Sequence, residues 1–217
     1  MTIRGAIFDL DGVITDTAML HFQAWKTLAD ELGIAFDETD NERLKGVSRR
    51  ASLDIILERS DTAYSDAEKE AMMARKNADY VTLIDTLTPA HVFPGVPEAF
   101  AELKARGIGI ALASASKNAA AIIRQLGIAG QFDYVADAAQ VANSKPAPDI
   151  FIDAAQGLGA TSAECFGVED AIAGIEAIHA AGMFAVGIGH SETLTDADLV
   201  FADMQSFDIE RILAKIN

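Results

Sequence analysis

Phe8-Asp9-Leu10-Asp11-Gly12-Val13-Ile14-Thr15-Asp16-Thr17 is the stretch on which the reading of this chain turns. The apolar run Ala6-Ile7-Phe8 leads straight into two carboxylates one residue apart. So short a run predicts a buried strand. Side chains alternate along a strand, so Asp9 and Asp11 lean to the same side where it ends. Gly12 then lets the backbone turn sharply. Two acids at a strand tip, against a glycine, make a place where a divalent cation can sit and an oxygen can attack. A strand followed by an acidic helix cap is the plainer reading of Asp-x-Asp alone, and the rest of the chain has to choose between them.

Outward from that stretch the pattern becomes helical. A helix is predicted from about Thr17 to Glu31, stopped by Gly33, with His21, Trp25, Leu28 and Leu32 on one face. His21 on such a stripe reads equally as a hydrogen-bonded core histidine. Leu44-Lys45-Gly46-Val47-Ser48-Arg49-Arg50 is a glycine loop flanked by bases, with Ser48 placed to cap the next helix. It could hold an anion, though a solvated turn is the commoner meaning. Ser65-Asp66-Ala67-Glu68 is a capping box opening a long helix to about Thr86. There Lys76 interrupts the stripe of Met73, Tyr80, Leu83 and Leu87, and taken alone it reads as a snorkelling lysine.

After Thr88-Pro89 strands and helices alternate. Strands are predicted at 108–113, 132–136, 165–168, 184–188 and 199–201, and helices up to Gly107 and at 119–126, 149–158, 172–181 and the C-terminus. This alternation implies an α/β fold, a doubly wound parallel-sheet core of Rossmann-like form. Residues 1–15 and 89–217 would form that core, and 16–88 a helical cap inserted after the first strand.

The chain has 217 residues, half of them hydrophobic, which suits one domain with an insert. A formal net charge of −16 argues against nucleic acid and anionic membrane surfaces. It leaves room for a small phosphorylated ligand held by a few placed bases and a metal. The one cysteine, Cys165, sits in an apolar run and reads as core. The N-terminus reaches Asp9 before a signal-peptide core could be completed, and no apolar run approaches the ~20 residues of a membrane helix. A cytoplasmic protein is expected.

Ligands of open parallel sheets bind beyond the C-terminal strand ends. There stand Asp9 and Asp11, then Ser114 to Asn118, then Glu169 and Asp170, with Lys145, just ahead of Pro146 and Pro148, in what reads as an extended loop. Clustered carboxylates repel unless a cation sits among them, and hard oxygen ligands favour Mg²⁺. Donors beside Mg²⁺ suit a transferring phosphoryl group. A carboxylate aimed in line can itself be the nucleophile, with a second acid moving the proton.

Asp9-Leu10-Asp11-Gly12, Ser114, Lys145-Pro146 and Glu169-Asp170 resemble the four motifs of the haloacid dehalogenase superfamily. Asp11–Thr17, His21 with Trp25, Leu44–Arg49, Ala113–Asn118 and Ser144–Asp149 are similar to its bacterial sugar-phosphate mutases, and the likeness runs to about Gly189. The resemblance implies Asp9 as nucleophile and Asp11 as general acid/base. It implies Mg²⁺ on Asp9, the Asp11 carbonyl, Glu169 (directly or through a neighbour) and Asp170. Ser114, Ala115 and Lys145 would hold the transferring phosphoryl group, with Ser116, Lys117 and Asn118 near the other phosphate. Arg49 would clamp the distal phosphate, with Lys45, Gly46, Val47, Ser48 and Ser52 around the sugar. His21 and Lys76 would support the sugar and Asp11, alongside Thr17 and Trp25. The implied reaction interconverts β-D-glucose 1-phosphate and glucose 6-phosphate through an aspartyl phosphate and glucose 1,6-bisphosphate, in a monomer.

Other readings are an Mg-dependent sugar-phosphate phosphatase on the same scaffold, a signalling receiver domain, and an inactive sugar-phosphate sensor. The insert at 16–88 and Glu169-Asp170 count against the receiver, and the intact acid set against the sensor. Basic Lys45 and Arg49 in the cap count against a simple phosphatase, which has no second phosphate to grip.

Overall fold

The computed structural model describes residues 2–44 and 47–216; Met1, Lys45, Gly46 and Asn217 lie outside the described residues. Strand β1 (Gly5–Phe8) is followed by four helices, α1 (Ala18–Glu31), α2 (Glu38–Glu42), α3 (Arg49–Leu57) and α4 (Asp66–Ile84). The chain then alternates through α5 (Val96–Ala105), β2 (Gly109–Leu112), α6 (Ala119–Gln125), β3 (Tyr134–Val135) and α7 (Asp149–Gly157). It closes with β4 (Cys165–Glu169), α8 (Ile172–Ala180), β5 (Phe184–Ile188), β6 (Leu199–Phe201) and α9 (Ile209–Ile216).

The six strands lie in the order β3-β2-β1-β4-β5-β6, every pairing parallel. This is the doubly wound order whose direction of travel reverses beside the first strand, and a crevice opens there at the carboxyl ends. β1 is central and buried throughout. Ala6 and Phe8 face α5, α6 and α9 through Phe100, Ile122 and Ile212. Ile7, on the other face, packs with Phe151 of α7 and Ile178 of α8. Burying each such side chain contributes roughly 1.5–3 kcal/mol, which is why an unbroken apolar run becomes a central parallel strand.

The helices between β1 and α5 have a core of their own: Trp25, Leu28, Leu53, Ile56 and Met73. They are rooted in the main core by Tyr80 and Ile84 of α4, which join the cluster of Leu10, Val13 and Ile14. The two connecting segments are tied together. Thr15 Oγ1 donates to the His91 carbonyl at 2.8 Å, and Phe93 N–H donates to the Ile14 carbonyl at 2.8 Å.

Three details differ from the sequence reading. β3 is two residues long rather than five, because it lies at the sheet edge and has a neighbour on one side only. α2 is an extra helix, opened by a capping box between Asp37 and Asp40 and tied back by Arg59 to Asp40. Lys145 sits in a turn, not an extended loop: Lys145-Pro146 is cis, and Ala147 N–H donates to the Ser144 carbonyl at 3.0 Å. No described helix is long and apolar enough to cross a membrane.

Candidate active site

Register places the functional side chains at one height. Phe8 is level with Val168 of β4 and Leu112 of β2. Asp9 N–H donates to the Val168 carbonyl at 2.9 Å, and Ala113 N–H donates to the Phe8 carbonyl at 2.8 Å. Asp9, Ser114 and Glu169 therefore meet at the crevice although up to 160 residues part them (169 − 9). Gly12 makes the close packing possible. Its φ is +77°, and a Cβ there would collide with the Asp170 carboxylate. Gly174 does the same for Glu169, against which any Cβ would clash.

One carboxylate oxygen from each of Asp9, Glu169 and Asp170 lies within 4.8 Å of the others. The fully buried Lys145 Nζ donates to Asp9 Oδ1 and to Glu169 Oε1, both at 2.6 Å. Glu169 Oε2 accepts the N–H groups of Asp170 and Ala171 at 2.8 and 2.9 Å. Both oxygens of Glu169 are thus engaged, and the side chain backs Lys145. Asp9 and Asp170 line the cleft, whereas Glu169 does not. With Asp11 the floor carries more carboxylates than one ammonium can balance. A divalent cation with oxygen ligands fits there, among Asp9, Glu169 and Asp170. The Asp11 carboxylate is not a member of the cluster.

The two acids of the first motif are split in strength. Burial pushes the Asp9 carboxyl up to about 6, with Lys145 opposing the rise. Burial, and then the negative Asp9, push Asp11 up to about 8. Asp11 Oδ1 is also inaccessible to solvent and has no hydrogen-bond partner among the described residues. Both rises work against ionisation, more strongly at Asp11 than at Asp9, so two acids of the same type two positions apart differ in proton affinity. Burial works against the Lys145 charge, but Asp9 and Glu169 outweigh it and hold its pKa above the ordinary value.

Opposite this floor stands the wall built by α1, α3 and α4. A cleft of about 790 Å³ is lined from the floor by Asp9, Asp11, Lys145 and Asp170, and from the loop after β2 by Ala115, Ser116 and Lys117. The wall supplies His21, Trp25, Val47, Ser48, Arg49, Ser52 and Lys76 to the same cleft. Ser48 caps α3 as its sequence suggests, accepting from Ala51 N–H at 3.2 Å. Lys76 does not snorkel: it is only 2% exposed. Its Nζ lies 2.9 Å from His21 Nδ1 and over the rings of Trp25 and Tyr80 at 4.7 and 4.4 Å. Burial, then Arg49, bring Lys76 down to about 7. Burial, Lys76 and Arg49 keep His21 well below its usual value, so His21 is neutral and accepts from Lys76.

Four of the sequence candidates stand behind the cleft surface. Ser114 is buried beneath it and accepts from Ser116 N–H at 3.1 Å. Thr17 is buried, its Oγ1 without a hydrogen-bond partner among the described residues. Glu169 backs Lys145, and Asn118 bonds across to Asn77. Lys45 and Gly46 lie outside the described residues. Sequence reasoning missed Asn77 and Tyr80. Tyr80 stacks on His21 with ring centroids 4.0 Å apart. Its place on the apolar stripe marked it only as core.

The family profile of haloacid dehalogenase-like hydrolases matches residues 3–182. The chain belongs to this family. Within the haloacid dehalogenase-like hydrolases it is 48% identical to the β-phosphoglucomutase of Bacillus subtilis (strain 168) over 210 residues, 96% of this chain and 93% of that one. The crystal structure of β-phosphoglucomutase from Clostridium difficile superposes with a TM-score of 0.96 at 46% identity, covering 100% of this chain and 98% of that one. A phosphorylated carbohydrates phosphatase of Thermotoga maritima is 30% identical over 192 residues, 87% of each chain.

Proposed function

We propose that this chain interconverts β-D-glucose 1-phosphate and glucose 6-phosphate. The observation that carries the reading is a cleft with an anion-holding feature at each end: Lys145 and a cation-fitting acid cluster on the floor, Arg49 on the opposite wall. Likeness to two β-phosphoglucomutases over nearly the whole chain supports it. Residues 16–88 serve as a cap over a core of 1–15 and 89–217, and the chain works as a cytoplasmic monomer on small phosphorylated sugars rather than nucleic acid.

Asp9 carries the phosphoryl group as an aspartyl phosphate. The 6-hydroxyl of β-glucose 1-phosphate attacks phosphorus, the bond to Asp9 breaks, and Asp11 takes the hydroxyl proton. The resulting glucose 1,6-bisphosphate turns over in the cleft. Asp9 then attacks the 1-phosphoryl group, and Asp11 returns the proton to the anomeric oxygen, releasing glucose 6-phosphate. Lys145 holds Asp9 in place and neutralises charge on the group in transfer. Mg²⁺ would be held by Asp9 and Asp170, with Glu169 beside them, and would supply charge neutralisation for phosphoryl transfer. His21 and Lys76 contact the sugar side, and Ser116, Lys117 and Arg49 take the phosphate that is not reacting.

The test is Arg49→Ala, with isomerisation and phosphate release measured on one sample. Arg49 can grip a phosphate through two parallel hydrogen bonds. Isomerisation should fall ~10²-fold or more if that grip contributes ~3 kcal/mol to the transition state. Hydrolysis of the Asp9 phosphate uses no second phosphate and should change far less. Loss of neither rate would turn the reading toward the phosphatase alternative.

A further inference from the structure

We propose that Asn77 is a positioning residue that gathers Arg49 and Asn118, one from each side of the cleft, into a single phosphate-binding cluster before the anion arrives. The proposal rests on the mutase reading, in which Arg49 faces the non-reacting phosphate, and adds Asn118, which stands just behind the cleft surface, to that group. Asn77 Oδ1 accepts from an Arg49 terminal nitrogen at 2.7 Å and from Asn118 Nδ2 at 2.8 Å. Arg49 opens α3 in the helical insert, Asn77 lies on α4, and Asn118 precedes α6 beside the sheet. A guanidinium only donates, so the Asn77 oxygen must face it, and Asn118 must then present its amino group.

Asn118 shows that the arrangement is specific. It occupies the cap position of α6, where asparagine ordinarily accepts from its own helix, yet it makes no side-chain cap bond. Its side chain is committed to Asn77 instead. The acceptor is also neutral. A phosphate oxygen outbids an amide oxygen for Arg49, since charge-assisted hydrogen bonds are roughly twice as strong. A carboxylate at position 77 would instead lock Arg49 into an ion pair and repel the phosphate. An amide is therefore the acceptor that can hold both donors and still release them.

The experiment compares Asn77→Ala, Asn77→Asp, Asn118→Ala and the double variant Asn77→Ala/Asn118→Ala with the unsubstituted protein. Measured are kcat and KM for isomerisation with β-glucose 1-phosphate and glucose 1,6-bisphosphate, and phosphate release on the same samples. Asn77→Ala should raise KM for the bisphosphate roughly 10-fold, as loss of an ordinary hydrogen bond does, and leave phosphate release nearly unchanged. Asn77→Asp should raise it further, by ~10²-fold, through like-charge repulsion. The double variant should lose less than the sum of the two single losses, because the part that runs through the Asn77–Asn118 bond is removed by either substitution. Additive losses in the double variant, or an Asn77→Asp protein with normal KM, overturn the proposal. So does a lowered melting temperature in Asn77→Ala with KM unchanged. Failure of the mutase reading shows separately, as an unsubstituted protein that releases phosphate without isomerising. The bridge is then read from the Asn118 side-chain amide NMR signals of the ligand-free protein, which must move on Asn77→Ala; unmoved signals overturn it.

Discussion

Replacing Asp11 by Asn should make the metal-free protein more stable at high pH and no more stable at low pH. The Asp11 carboxyl is held at about 8, against 3.8 for the ordinary side chain. Below pH 3.8 the group is protonated in folded and unfolded chains alike. As pH rises the unfolded chain releases this proton while the folded protein keeps it, so stability falls across the window until pH passes about 8. A shift of 8 − 3.8, near 4 units, amounts to about 6 kcal/mol. Asp9 is the second cause of the rise, and Asp9 itself moves up by about 2 units, worth about 3 kcal/mol, so the pair shares the penalty. A difference of ~3–6 kcal/mol is expected at pH 9 between Asp11→Asn and the unsubstituted protein, and almost none at pH 4. The assay is urea unfolding of both proteins in chelator from pH 4 to 9. A difference that stays flat across this range would refute the placement of Asp11 as a buried, charge-crowded acid. Added Mg²⁺ should narrow the gap, because the cation compensates the negative floor.

Lys145→Met should cost roughly 3–5 kcal/mol at pH 7, read as a lower urea midpoint, because it leaves Asp9 and Glu169 buried without their shared cation. Lys76→Met should do the opposite. With the folded pKa brought from 10.5 to about 7, the unfolded chain binds the extra proton between those values, so the stabilising effect of the substitution is largest below pH 7 and fades as pH approaches 10.5. Its upper size is ~5 kcal/mol, to be followed by unfolding at pH 6.5 and 10. Gly12→Ala should weaken Mg²⁺ binding in calorimetric titration, since its Cβ meets Asp170 at a φ of +77°, at a conformational cost of ~1–2 kcal/mol.

The local grammar of the chain was enough for most of its elements, α2 and the length of β3 excepted. β1, the helices stopped by Gly33 and Gly107, the capping box at Ser65 and Glu68, and the alternation after Pro89 all depend on neighbours a few residues away. Side-chain period and backbone punctuation act over that distance, so they can be read without the fold. The acid motif was legible for the same reason, because strand-end carboxylates next to glycine declare themselves by sequence neighbourhood. What each acid does was not. Asp9 and Asp11 are the same residue type two positions apart. Burial, the Asp9 charge facing Asp11, the Lys145 that arrives from 136 residues away, and the Glu169 behind it split their proton affinities. Lys76 read as a lysine reaching for water, whereas the packing of α1 against α4 sets it beside His21 over two aromatic rings. Asn77 carried no signal at all, because its partners lie 28 and 41 residues away and on opposite sides of the cleft. The sequence by itself determined most of the strands and helices and which residues stand at the strand tips, while α2 and the turn at Lys145 came only with the fold. The tertiary structure alone set the relative proton affinities, which side chains stand in the cleft and which behind it, and the pairing across the cleft, because desolvation and charge act through space and are set by which distant segments come to lie together.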